Sequence, residues 1–374
     1  MPLLTLIILC LAGVVFMAAT ALLVRGTLYR SPRPLALVVA QRRNTAGDLF
    51  SLTLRRPGLG RLLPLPRFAA GQSVALTIPG ETTKRRYSIA RWQALPFAYE
   101  LTIKREPQGR FSPRLGDYAR VGARLEVGRP DGHFTLPENA AARRAVFIAG
   151  GVGITPLLAM LDHWAKTRRS YPEVHLYWQV RHEQEALYRE ALVSLAKKHP
   201  KLRVRILVSR PAQGCAEKIS ASLLGAELES LVNTDFYLCA GSGLLDSMLS
   251  DLGEAGVAAE SLYFERFTLG GADVAEDWRI HYQGEQFSSA GHASLLDAIE
   301  AQRLAIDSDC RTGSCGRCLL AVEEGKAKHR VVPEYAVPPR HVLACCAVPQ
   351  SDLQLRAVMD GVTAAGHELI AGAD

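Results

Sequence analysis

The sequence predicts a multidomain chain: an apolar N-terminal helix, an antiparallel β-barrel, an α/β unit on a parallel sheet, and a small α+β unit. Three observations predict it. Short β-like runs punctuated by Gly and Pro fill the chain from Pro34 to about Pro137; a strand, glycine turn and helix pattern begins at Ala145; and five of the eight cysteines crowd between Cys310 and Cys346. At 374 residues the chain exceeds one ordinary core, given roughly 100 to 200 residues per domain. The boundaries this suggests are 1–30 for the apolar helix and its basic flank, 31–138 for the barrel, 139–268 for the α/β unit, 269–277 for a linker and 278–362 for the cysteine-bearing unit. Hydrophobic and charged contents of 48% and 22% are those of a globular protein. The net charge of +7 comes from Lys and Arg spread along the chain, without the basic block or aromatic platform of a nucleic-acid binder, so no nucleic-acid partner is expected.

Leu3 to Val24 is a run of 22 residues without a charge. As a helix it spans about 33 Å, enough to cross the hydrocarbon of a bilayer once. Arg25, Arg30, Arg33, Arg42 and Arg43 follow it, and the positive-inside rule then places the body of the chain in the cytoplasm, anchored by a single pass to the inner membrane. A cleaved signal peptide would carry a basic start and a shorter apolar core. The run also lacks any His or charged residue, so it reads as an anchor and not as a conductor of charge.

β-like runs at Leu35–Val39, Leu49–Leu54, Ser73–Ile78, Tyr99–Lys104 and Arg124–Val127 account for the barrel. Inside it lie Arg85-Arg86-Tyr87-Ser88-Ile89-Ala90 and, further on, Gly109-Arg110-Phe111-Ser112. A bound flavin gives these residues a purpose. Its ring is a flat apolar plate with a polar rim, suited to a Tyr face and a neighbouring hydroxyl; its phosphate tail calls for a guanidinium and a glycine-lined turn.

Ala145–Ala149 reads as a buried strand, followed by Gly150-Gly151-Val152-Gly153-Ile154-Thr155-Pro156 and a helical pattern over Leu157–Lys166, with Thr155 expected as N-cap. The glycines let backbone approach an anion at the start of a helix, and a pyrophosphate is the natural ligand. This is not the Gly-x-Gly-x-x-Gly fingerprint. Strands expected at Val174–Gln179, Val204–Val208 and Phe236–Cys239 alternate with helices, as a parallel sheet requires.

Past the linker, β-like runs near Trp278–Tyr282 and a helix from Leu295 to about Gln302, capped by Ser294, precede Cys310-Arg311-Thr312-Gly313-Ser314-Cys315-Gly316-Arg317-Cys318. This is C-x4-C-x2-C, and Cys345 follows after 26 intervening residues, the plant-type 2Fe-2S spacing. Tetrahedral zinc on the same four thiolates is the rival reading, although zinc knuckles usually pair C-x2-C units. Cys346 is an alternative fourth ligand.

The three motif sets, in this order over residues 34 to 360, resemble the ferredoxin-NADP reductase superfamily, specifically the flavin reductases with a C-terminal plant-type ferredoxin domain of β-grasp fold. The resemblance implies that Arg85 binds the flavin phosphate, Tyr87 stacks on the ring, Ser88 approaches the flavin N5 region, and Gly109 and Ser112 hold the tail. It assigns Gly150, Gly151, Gly153, Thr155 and Pro156 to the nucleotide and Cys239 to the neighbourhood of the nicotinamide, with Glu265 and Phe267 matching the sequence that closes this domain. Cys239-Ala240-Gly241 departs from the family's Cys-Gly-Pro at that point. Arg181, Ser209 and Arg210 stand where an adenosine 2'-phosphate would lie, which leaves NADH and NADPH both open. Cys310, Cys315, Cys318 and Cys345 become the cluster ligands. The implied cofactors are FAD, with FMN as the alternative, a 2Fe-2S cluster and NADH or NADPH. The implied activity is NAD(P)H-dependent electron transfer to a partner protein such as an oxygenase or desaturase. A reductase of its own small substrate and a non-enzymatic redox sensor are the alternatives.

Overall fold

A computed structural model of the chain describes residues 34–45, 48–81, 83–107, 109, 111–137, 140, 144–167, 171–228, 230–267, 277–331, 333 and 335–358. Among these no helix is long and apolar enough to cross a membrane, and the expected spanning run over residues 3–24 lies outside them, as does nearly all of the expected linker.

Six strands build the first unit: β1 (Leu35–Asn44), β2 (Leu49–Arg55), β3 (Ser73–Thr77), β4 (Lys84–Ser88), β5 (Tyr99–Lys104) and β6 (Arg124–Val127). They are antiparallel, in the order β4-β3-β6-β1-β2-β5. The two edges meet where Ile89 bridges Leu101 and the Ala90 N–H donates to the Glu100 carbonyl at 2.8 Å, closing the barrel. Period-two alternation sends Phe50, Leu52 and Leu54 of β2 into the core, beside Leu37, Val39 and Leu125. A helix absent from the sequence reading, α1 (Ser112–Tyr118), follows β5; Pro113 sits in its first turn and Leu115 plugs the barrel.

The second unit alternates strands and helices: β7 (Arg144–Gly150), α2 (Ile154–Thr167), β8 (Glu173–Val180), α3 (Arg189–Lys198), β9 (Leu202–Val208), α4 (Ala221–Leu228), β10 (Thr234–Ala240), α5 (Ser242–Glu254) and β11 (Leu262–Arg266). All strands are parallel in the order β11-β10-β7-β8-β9, so the chain reverses its direction of winding between β7 and β10. Ligands bind at such a switch point, outside the carboxyl ends of the strands. Gly150–Gly153 lies there, against the end of β10. Thr155 is not the N-cap: a 3-10 turn over Gly151–Gly153 runs straight into α2, and the Thr155 hydroxyl donates inside the helix start to the Val152 carbonyl at 3.1 Å.

The third unit holds β12 (Arg279–Tyr282), β13 (Glu285–Ser288), α6 (Leu295–Ala301), β14 (Leu319–Glu324), β15 (Ala327–His329), β16 (His341–Leu343), β17 (Ala347–Pro349) and β18 (Leu353–Ala357). Its main sheet runs β13-β12-β18-β14-β16, with β12 and β18 parallel and the other pairs antiparallel. Ser294 caps α6 by accepting the Asp297 N–H at 3.1 Å. The helix buries Leu295, Leu296 and Ile299 against the sheet, a β-grasp arrangement.

A Cβ on Gly153 would lie 2.0 Å from the Cys239 carbonyl oxygen. Backbone cannot yield there without parting β7 from β10, so Gly153→Ala is expected to destabilise the α/β unit by about 1 to 3 kcal/mol. A urea titration followed by circular dichroism checks this; an unchanged midpoint would show that the two segments separate freely.

Candidate active site

The three units converge on β4. Its ladder with β3 pairs Ser73 with Ser88 and Thr77 with Lys84, which fixes the faces of the strand. Lys84, Arg86 and Ser88 are separated by two residues each, and each meets an acid of another unit. Lys84 Nζ lies 3.6 Å from Asp307 Oδ1, Arg86 Nη1 donates to Asp309 Oδ2 at 2.9 Å, and Ser88 Oγ donates to Glu265 Oε2 at 3.4 Å.

Glu265 is half-buried, with its carboxyl turned toward Ser88 and toward Cys239, whose Sγ donates to Oε2 at 3.9 Å. Cys239 is the next-to-last residue of β10, beside the glycine turn. Burial pushes the Glu265 carboxyl up to about 7, against the opposing pull of Arg86 and the Ser88 hydrogen bond. Ser88, Cys239 and Glu265, read from three separate motifs of the sequence, therefore form one cluster at the seam between barrel and α/β unit.

On the other side of β4, the Tyr87 ring stacks with Phe111 at 6.5 Å and 27°. Arg85 hydrogen-bonds the Lys84 carbonyl at 2.9 Å and, among the described residues, forms no ion pair within 4 Å. Burial first, and then the neighbouring Arg311, lower its pKa to about 10. A guanidinium so placed favours an anion, and the expected flavin phosphate fits that requirement. Gly109 and Ser112 form one tight turn: the Gly109 N–H donates to the Glu106 carbonyl at 2.8 Å, and Ser112 Oγ accepts the Glu106 N–H at 3.0 Å. A Cβ on Gly109 would come within 3.0 Å of the Glu106 carbonyl oxygen.

In the α/β unit, Gly151 adopts φ +54° and its carbonyl accepts the Trp178 indole N–H at 2.8 Å. Gly150, Gly151, Gly153, Thr155 and Pro156 thus form a rigid turn into α2, of the kind that presents backbone N–H groups to a pyrophosphate. The Phe267 N–H donates to the Ala240 carbonyl at 3.3 Å, which brings that aromatic to the end of β10. Arg181, Ser209 and Arg210 gather where β8 and β9 end: the Arg210 N–H donates to the Arg181 carbonyl at 2.8 Å and Ser209 Oγ donates to the Val180 carbonyl at 3.2 Å. Both guanidinium-bearing residues are exposed.

The four expected cluster cysteines lie together. Sulfur contacts join Cys310 to Cys315, Cys318 to Cys345, and Cys310 to Cys345. Those contacts hold the acceptors Cys310 and Cys318 below the usual thiol range and push the donors Cys315 and Cys345 above it. A two-iron cluster takes two thiolates per iron, and the contacts Cys310–Cys315 and Cys318–Cys345 supply such pairs. Backbone N–H groups already point at sulfur: Thr312 and Cys315 at Cys310 Sγ, and Cys345 at Cys318 Sγ, each at 3.4 Å. Gly316 at φ +74° packs beneath Tyr335, whose ring a Cβ would meet at 2.2 Å. Cys346 lies beside Cys345 and against Gly313 of the loop, its Sγ donating to the Leu343 carbonyl at 3.6 Å.

Asp307 and Asp309, which precede Cys310, were not apparent as site residues from sequence. Their only signal is a spacing of two residues that matches Lys84 and Arg86.

Comparison with known proteins agrees with this geometry. Residues 147–248 match the oxidoreductase NAD-binding domain family and residues 279–350 the 2Fe-2S iron-sulfur cluster binding domain family. The chain is 30% identical over 309 residues to phenoxybenzoate dioxygenase subunit beta of Ectopseudomonas oleovorans, covering 81% of this chain and 90% of that one. It is 28% identical to the carnitine monooxygenase reductase subunit of Escherichia coli K12, covering 76% and 87%. Its fold is that of phthalate dioxygenase reductase, with a TM-score of 0.66 at 23% identity over 87% of this chain and 98% of that structure.

Because its carboxyl titrates near pH 7, Glu265 is expected to give flavin reduction by NAD(P)H an inflection near that pH in stopped-flow measurements, and Glu265→Gln to abolish it. The folded value lies above the ordinary 4.5, so the stability this group contributes is full below that pH and is lost as pH rises through about 7. Wild type should therefore lose ground to Glu265→Gln across that window. An inflection unchanged in the variant would remove Glu265 from the reaction.

Proposed function

We propose that the chain, which belongs to the family of reductases that pass electrons from NAD(P)H through a flavin to a 2Fe-2S cluster, serves a separate terminal oxygenase or desaturase. The observation that carries this reading is the single strand β4, whose Ser88 meets the nucleotide unit and whose Arg86 meets the cluster loop. When bound, the flavin accepts a hydride and releases electrons one at a time, and the cluster carries one electron at a time.

The chain's own residues bind, orient and hold protons. Gly150 to Pro156 seat the nucleotide pyrophosphate, and Phe267 with Cys239 and Glu265 shapes the place of the nicotinamide. Glu265, raised toward neutrality, keeps a proton near Ser88. Arg85, Gly109 and Ser112 hold the flavin tail while Tyr87, backed by Phe111, faces the ring. FAD is the cofactor the family resemblance favours. Arg86 fixes Asp309, one residue before the first cluster ligand. The acceptor reading is supported by relatives named as dioxygenase and monooxygenase components. The uncharged run from Leu3 to Val24 supports anchorage at a membrane, with the folded units on the side of the flanking arginines.

Cys315→Ser is expected to keep NAD(P)H-dependent reduction of ferricyanide, which takes electrons from flavin, and to lose at least about tenfold in cytochrome c reduction, which draws on the cluster. Substrate-dependent NAD(P)H oxidation by the pure protein without a partner would overturn the acceptor reading.

Arg86→Gln removes the partner of an almost fully buried carboxylate, since the Asp309 side chain is 6% exposed. It is expected to lower stability by on the order of 3 kcal/mol. It should also slow electron arrival at the cluster while sparing flavin reduction, both being read in one anaerobic stopped-flow trace. Equal slowing of both phases would make Arg86 merely structural.

A further inference from the structure

The loops at one end of the barrel carry an apolar rim that the electron path does not use. In the ladder β1-β2-β5, Val38 pairs with Arg55 and Leu54 with Tyr99, so the start of β1, the end of β2 and the start of β5 share an end. The segment after β2 forms a 3-10 turn, Gly58–Leu62, in which Leu59 is 81% exposed and Leu62 70% exposed, with Leu63 beside them. The segment before β5 exposes Leu95 and Phe97. The two loops are tied together: the Leu65 N–H donates to the Pro96 carbonyl at 2.7 Å, and the Tyr99 hydroxyl to the Pro66 carbonyl at 2.7 Å. Five large apolar side chains therefore stand in water on two stitched loops, at a cost that singly scattered leucines would not raise as a question.

Their charge setting is one-sided. From Leu49 to Gly80 the sequence has no Asp or Glu but has Arg55, Arg56, Arg61 and Arg67. Arg55, Arg61 and Arg67 are exposed, and among the described residues none of the four is in an ion pair within 4 Å. Leucines and a phenylalanine among unpaired arginines are the composition of a surface that sits in the interface of an anionic bilayer.

The chain's connectivity selects that occupant over a second copy or a protein. Pro34 leads into β1 at this same end, and the ten residues Arg25 to Pro34 that separate it from the apolar run reach at most about 35 Å. We infer that the loops 56–68 and 93–97 form a membrane-contact surface, with Leu59, Leu62, Leu63, Leu95 and Phe97 entering the headgroup region and the arginines engaging acidic phospholipid. This inference rests in part on the anchoring reading above, and not on the electron path. It fixes which end of the barrel faces the bilayer.

The test uses the full chain, carrying Cys10→Ala and Cys215→Ser and a single environment-sensitive fluorophore at Leu62→Cys or, as a control in the α/β unit, at Val232→Cys. Both sites are exposed in the structure. Retained flavin and cluster absorbance shows that labelling leaves the fold intact. The protein is reconstituted into phosphatidylcholine vesicles with and without phosphatidylglycerol, and quenching by lipids spin-labelled near the headgroup is read. The expected result is at least about threefold stronger quenching at position 62 than at 232, stronger with phosphatidylglycerol, and weakened by Arg55→Glu with Arg61→Glu. Chain that floats with vesicles while the label at 62 stays open to aqueous iodide would overturn the contact surface and leave the anchor standing. Failure to float would remove both. A concentration-dependent blue shift at 62 without lipid would assign the rim to a second copy and overturn the membrane reading.

Discussion

The placement of the cluster unit against the barrel depends on the Arg86–Asp309 ion pair. Arg86 is held from behind by its own barrel: Nε donates to Ser73 Oγ at 2.9 Å and Nη2 to the Asp131 carbonyl at 2.8 Å. Its remaining donor capacity points out of the barrel at 2.9 Å to a carboxylate that sits one residue before the first cluster cysteine. Asp309 Oδ1 has no hydrogen-bond partner among the described residues, so Oδ2 carries the burial of this group, with Arg317 as a second and longer contact at 3.8 Å. A buried carboxylate with one strong partner is expensive to separate from it. The neighbouring Lys84–Asp307 contact is a different case, since both ends are well exposed and such pairs contribute at most about 1 kcal/mol.

Strand geometry turns one pair into a junction. Lys84, Arg86 and Ser88 share a face because side chains alternate along a strand. Asp307 and Asp309 are spaced to match, and Glu265 meets the last of the three from the opposite unit. A slip of β4 by one residue would present Arg85 and Tyr87 to those acids and withdraw all three contacts together. The register is therefore as much part of the site as any side chain in it. It is pinned by five pairs with β3, of which Ser73–Ser88 also supplies the hydroxyl that orients Arg86.

Much of this was legible in the sequence, and the physical reasons for the exceptions are specific. The cysteine loop is local: three ligands with two glycines, and Cys345 at a fixed distance beyond, leave a spacing that a reader can recognise, and the structure gathers those thiols. The glycine turn is equally local, although its helix begins at Ile154, two residues earlier than a Thr155 cap with Pro156 first in the helix would place it, because Gly151 at φ +54° lets a 3-10 turn run directly into α2. The helix Ser112–Tyr118 was missed because it is short and holds Gly116, and only Ser-Pro marks its start. Asp307 and Asp309 were invisible for a deeper reason. Their role is defined by residues more than two hundred positions earlier, and no short pattern reports such a pairing. The unpaired arginines of the barrel loops were likewise unremarkable until the ladder placed them beside exposed leucines.

The barrel meets its two neighbours by different physics. Toward the α/β unit the contact is packed: a Cβ on Gly71 would come 2.5 Å from Met160 Cε, Trp92 lies edge-on to His163 at 4.6 Å, and Thr102 shares a short hydrogen bond with Tyr188. Close-packed surfaces of this kind resist sliding and are insensitive to salt. Toward the cluster unit the named contacts are ionic, through Lys84, Arg86, Asp307 and Asp309. Their exposed members are screened over about 8 Å at physiological ionic strength. The barrel and α/β unit therefore behave as one rigid body that fixes the geometry for hydride transfer. Among the described residues the ion pairs joining the cluster unit to that body are one well-buried pair and one weaker pair, and Arg85 is also buried close to Arg311, Glu300 and Asp297 of the cluster unit. A carrier that must offer its cluster to another protein gains from a joint whose ionic contacts yield to salt.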